Sequence, residues 1–169
     1  MHPFRLGATV LLLAGATVPA WALDAPLAAD TTVNASLPAN NFGALPTINV
    51  GGGAAGLLRF DLGMLPAGTS AAKLAKATLV LYVNRVGSPG AIDLRTLYGP
   101  WTEGSVTASS LPPHGLIYLS QPVPAAGNYM SVDVTLQVKN WISNPASNFG
   151  LLIAPAAAAP GTVAFFDSK

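Results

Sequence analysis

The chain has 169 residues, with eight Lys or Arg, seven Asp or Glu and two His, so its formal charge at pH 7 is only +1. That balance argues against nucleic acid, which is bound through clustered cations, and against electrostatic attachment to anionic membranes. Cysteine is absent, which excludes a disulfide framework and a thiolate metal site. The length suits about one domain, and with 51% hydrophobic residues its stability must come from packing.

The first residues read as a targeting segment. His2 and Arg5 form a short basic region, Leu6 to Val18 an apolar core, and Ala20-Trp21-Ala22 the small residues a signal peptidase reads. The apolar run is too short for a membrane span, and no second one follows. Cleavage after Ala22 is expected to release residues 23–169 as an exported, soluble domain without membrane insertion. Without Arg5, basic and acidic residues are equal in number.

From there the chain alternates short apolar runs with Gly and Pro, the rhythm of an all-β domain. Strands are predicted at Thr31–Ala35, Thr47–Val50, Leu57–Leu62, Ala77–Val86, Ala91–Tyr98, Gly115–Leu119, Tyr129–Val134, Phe149–Ala154 and Thr162–Phe166. Period-two alternation sets Leu58, Phe60 and Leu62 on one face, and Leu57, Arg59 and Asp61 on the other. "GGGAAG", residues 51–56, fits a G-x-G-x-x-G pattern. A dinucleotide site needs a helix after the glycines and an acidic residue about 20 positions on. Here a strand-like run follows, and no acidic residue lies between Asp61 and Asp93. The glycines are read as a connection between strands that tolerates positive φ.

"SAAKLAKA", 70–77, permits one weak helical turn. "DVTLQVKNWISNP", 133–145, predicts a helix of about two turns, N-capped by Asp133 or Thr135, with Trp141 sealing the end of a sandwich. "PAAAAP", 155–160, is predicted as a loop. The chain stops soon after the strand-like "TVAFF", so a further strand, or further domains of a longer polypeptide, are expected beyond residue 169.

Acid–base machinery is sparse. Glu103 and His114 are the sole glutamate and histidine after residue 22, and both fall in turn-rich segments. No His cluster suits zinc and no Ser lies in a nucleophile elbow, so the domain is expected not to be an enzyme. The aspartates follow no EF-hand spacing, although Asp30 and Asp167 could meet near the chain ends and share a structural calcium. Tyr82, Tyr98, Trp101, Tyr118 and Tyr129 are candidate stacking surfaces for sugar rings. Arg59, Arg85 and Arg95 are candidate forks for a uronate carboxylate. Against this, Trp101 could be a core plug and Arg59 could simply pair with Asp61.

Six stretches in order resemble a known family: "ADTTVNASLPANNFGALPTINVGG", "LLRFDLGMLPAG", "AKATLVLYVN", "GPWTEGSVT", "VDVTLQVKNWISNPASNFGLLI" and "AFFDSK". They are similar to the DNRLRE domain family, also described as carbohydrate-binding module family 96, over about residues 29–169. The resemblance implies a jelly-roll-type antiparallel β-sandwich with one short helix, found in extracellular proteins, some members of which bind acidic polysaccharides such as alginate. Two departures stand out: Ala108 replaces a tryptophan usual in the family, and the family's last strand would lie past Lys169. The expectation is an exported, non-catalytic module for polysaccharide, with Arg59, Arg95, Tyr98 and Trp101 as ligand contacts. The alternative is a structural or adhesive head domain of a larger surface protein.

Overall fold

In the computed structural model, residues 23–168 are described; the signal peptide expected over 1–22 lies outside them. Strands β1 (Leu27–Asn34), β2 (Thr47–Val50), β3 (Ala54–Phe60), β4 (Thr78–Ser88) and β5 (Ala91–Leu97) are followed by β6 (His114–Pro122) and β7 (Tyr129–Asp133). Helix α1 (Thr135–Ser143) then leads to β8 (Leu151–Pro155) and β9 (Val163–Asp167). Two antiparallel sheets result, in the orders β1-β3-β8-β5-β6 and β2-β9-β4-β7. Four antiparallel neighbours nest inside one another: β2 with β9, β3 with β8, β4 with β7, and β5 with β6. This is the double-sheet wrapping of a jelly roll, with β1 added beside β3. Every predicted strand is present, and "SAAKLAKA" supplies only a hydrogen-bonded turn between Ser70 and Lys73.

Alternation builds the interior between the sheets. In β4, Leu79, Leu81 and Val83 are buried while Thr78, Val80 and Asn84 are exposed. With Ile48, Val50, Leu58, Ile92, Leu94, Met130, Val132, Ile153, Ala164 and Phe166 they form one core. α1 spans the end of the sandwich and buries Trp141 in that core, as its helical spacing implies. The N-cap is Val134 rather than Asp133 or Thr135. Asp133 nonetheless secures the helix start by accepting the Thr135 N–H at 2.9 Å.

The outer face of the five-stranded sheet departs from the expected one-sided pattern. Leu57 and Leu58 point to opposite faces, and both are fully buried. Leu57 joins Ala29, Val33, Leu97 and Leu152 in a second core, roofed by Trp101 and Val106 from the β5–β6 connection. Asn41 fastens that connection by donating to the carbonyls of Glu103 (2.7 Å) and Val106 (2.8 Å). Glu103 itself accepts the Asp30 N–H at 3.1 Å. β9, expected as a final strand beside a missing neighbour, pairs on both sides, with β2 and with β4.

The glycine run is a hairpin turn. Gly51 and Ala54 exchange backbone hydrogen bonds of 2.9 and 3.1 Å, and Gly52 and Gly53 between them have φ of 63° and 88°. Positive φ at both central positions is what a two-residue type I′ turn requires, and β3 follows directly. Gly51 also has positive φ, and a Cβ there would collide with the Thr162 carbonyl, whereas one on Gly52 meets open space.

Two outcomes are expected in denaturation. Gly52→Ala should cost about 1 kcal/mol, the price of a left-handed alanine. Gly51→Ala should cost about 3 kcal/mol or more, because strain and overlap add. Hydrogen bonds from the Thr135 side chain and amide also hold the Asp133 carboxyl below its ordinary value. A depressed folded-state value means stability that is present above the unfolded carboxylate value of about 3.9 and lost as pH falls through the folded one. The urea midpoints of wild type and Asp133→Asn should therefore differ at pH 6, and the difference should shrink as pH falls below the unfolded carboxylate value.

Candidate functional site

β3 carries Leu57 and Arg59 on its outer face, so the arginine follows the leucine to the border of the second core. There the Arg59 guanidinium stands 5.4 Å from the centre of the Trp101 ring, and Nη1 donates to the Trp101 carbonyl at 3.4 Å. The expected Arg59–Asp61 ion pair does not form; Asp61 instead accepts the Gly63 N–H at 2.8 Å in a tight turn. Trp101 is only 5% exposed, and its indole N–H donates to the Phe149 carbonyl at 2.8 Å. It is a core plug and a seat for Arg59, which corrects the expectation that it offers an open stacking face.

Arg59 lines a groove of about 520 Å³ at the α1 end of the sandwich, together with Asp61, Leu62, Thr69, Trp141 and Asn148. Its volume lies within the ordinary range for small-molecule sites. One wall is the β3–β4 connection and another is α1 with the turn after it. Asn148 is fixed by donating to the Phe60 carbonyl at 3.0 Å. The Trp141 indole nitrogen and Asn148 Oδ1 are buried without a hydrogen-bond partner among the described residues. The groove therefore joins one cation, Arg59, and one carboxylate, Asp61, to apolar wall. Helical spacing identified Trp141; Asn148 was missed, and its one signal is the polar "SNPASN" after the helix.

The other two expected contacts lie elsewhere. Tyr98 is 61% exposed and lines a shallow cleft of about 220 Å³ with Thr96, Gln137, Asn140 and Ser147. Thr96 donates to Gln137 at 2.8 Å, tying β5 to α1. Arg95 lies 4.0 Å from Asp93. The fully buried Asp93 carboxylate also accepts from the Ser120 hydroxyl and from the Ala157 N–H, which makes this a structural cluster. The four residues thus do not converge: Arg59 lines the groove and is backed by the buried Trp101, Tyr98 faces a separate cleft, and Arg95 lies beside Asp93 on β5.

Glu103 ties a strand amide, and His114 is exposed with its ring beside the Gly115 carbonyl. Among the described residues, no three His, Cys, Asp or Glu come together to hold a metal. Asp30 and Asp167 sit in different sheets, and Asp167 accepts a hydrogen bond from Asn84 at 2.9 Å. No described helix is long and apolar enough to cross a membrane.

Trp101→Phe should retain most of the buried ring but orphan the Phe149 carbonyl, lowering stability by about 1–3 kcal/mol in urea unfolding. Trp101→Ala should cost about 3–5 kcal/mol.

No curated protein matches the chain. The sequence model of carbohydrate-binding module family 96, by contrast, matches residues 23–169. The jelly-roll sandwich suits that description, and the chain belongs to carbohydrate-binding module family 96.

Proposed function

We propose that this protein is an exported, non-catalytic module that binds an acidic polysaccharide in the groove beside α1. Family membership supports carbohydrate as the ligand class. The observation that carries the finer reading is Arg59, a permanent cation in the groove, stacked on Trp101 and therefore pre-oriented. A guanidinium held in this way loses little freedom on pairing with a carboxylate, and its fork matches both carboxylate oxygens. A uronate bound there finds apolar wall for its ring and polar side chains for its hydroxyls. Tyr98 and its cleft supply a further stacking position along the same helix. The sparse acid–base groups fit a binding role rather than turnover, and the basic, apolar opening of the sequence supports export.

Alginate and polygalacturonate should bind in calorimetric titration, with affinity falling as salt screens the ion pair. Arg59→Ala should weaken uronate binding at least tenfold, about 1.4 kcal/mol, while losing only about 1 kcal/mol of stability with the cation–π contact. Equal uronate affinity in the variant and the wild type would exclude the groove as the site.

A further inference from the structure

The two sheets differ in what lies outside them. The five-stranded sheet is roofed by the β5–β6 connection, whereas the outer face of the four-stranded sheet is open and bears aromatic rings. Tyr82 on β4 and Tyr129 on β7 are cross-strand partners. Their rings meet edge to face at 5.1 Å, and Tyr129 is 71% exposed. Next to them lies Val80, also exposed. Further along β4, the exposed Arg85 lies over the ring of Phe165 of β9, its guanidinium carbon 3.9 Å from the ring centre. Polar groups surround these spots: Asn84 donates to Asp167 at 2.9 Å between them, and on the edge strand β2 Thr47 donates to Asn49 at 2.9 Å.

The chemistry of this face selects its occupant. An apolar protein surface laid over it would bury Asn84, Asp167, Asn49 and Thr47 without new partners, at a cost for each. An anionic chain is opposed by the exposed Asp167 carboxylate on the neighbouring strand, which stays on this face beside Asn84, whereas Asp61 at the groove is turned to the Gly63 amide. A neutral pyranose chain answers both conditions, since its ring faces are apolar and its equatorial edges carry hydroxyls that both donate and accept. Three residues of β4 from Tyr82 to Arg85 spread the two aromatic spots over roughly 10 Å, so an extended chain meets both. This face is separate from the groove. Tyr129 opens β7, and α1, which walls the groove, begins beyond its far end, after roughly 13 Å of strand.

We propose that the outer face of the four-stranded sheet is a second glycan-binding surface, for a neutral polysaccharide. One sugar ring stacks on Tyr82 and Tyr129, and the chain runs toward Arg85 over Phe165. The proposal rests on the carbohydrate-binding reading above but uses none of the groove's residues.

Native affinity electrophoresis of the protein in gels carrying hydroxyethylcellulose, galactomannan or alginate tests it. Wild type should be retarded by at least one neutral polymer. The double variant Tyr82→Ala/Tyr129→Ala should lose that retardation at least tenfold in apparent affinity while keeping its retardation by alginate, and Arg59→Ala should show the reverse. Amide shifts of the wild type titrated with cellohexaose and mannohexaose should cluster on β4, β7 and β9, a readout that does not depend on any variant folding. The proposal is overturned if neither neutral polymer retards the wild type, if the double variant runs like wild type in the neutral gels, or if the shifts map elsewhere. Failure of alginate alone to retard the wild type would count against the groove and leave this face standing.

Discussion

Covering the five-stranded sheet on both sides is the constraint from which most of the molecule follows. Leu57 and Leu58 are neighbours on one strand, and their side chains necessarily leave it in opposite directions. Because both are buried, something must lie on each side: the second sheet over Leu58, and the β5–β6 connection over Leu57. That connection brings Trp101 down onto the sheet, and Trp101 in turn fixes Arg59 at the groove. A requirement of packing thereby sets the orientation of the one cation that lines the groove.

This coupling accounts for what the sequence makes legible. Strand positions were readable because the inner face of each sheet obeys period two, as Leu79, Leu81 and Val83 do, and α1 because Val134, Val138 and Trp141 obey the helical period. The second core was harder to see. Its signature is not alternation but short continuous apolar runs, Leu57-Leu58 and Leu151-Leu152-Ile153, which mark strands buried on both faces. Period two sets Leu57 and Arg59 on one face but does not show that the β5–β6 connection covers it, and that cover is what decides between a core plug and a sugar platform for Trp101.

The site was legible residue by residue but not as an arrangement. Arg59 could be singled out as one of few cations, yet its partner Trp101 is 42 positions away, and only the folded β5–β6 connection joins them. Asp61 is two positions away and on the same side of the chain, but it turns to the Gly63 amide, because a local turn costs less order than holding a long side chain in an ion pair. Arg95 and Tyr98 are close in sequence and diverge because β5 ends at Leu97, before Tyr98.

The placement of β9 bears on how the molecule comes to exist. The last strand among the described residues, it lies in the interior of its sheet, and Phe166 is fully buried in the main core. Until those residues leave the ribosome, β2 and β4 have no common neighbour and the sandwich cannot close. Closure of the sandwich therefore waits on a strand made long after β2 and β4, so the early strands spend much of synthesis without their shared neighbour.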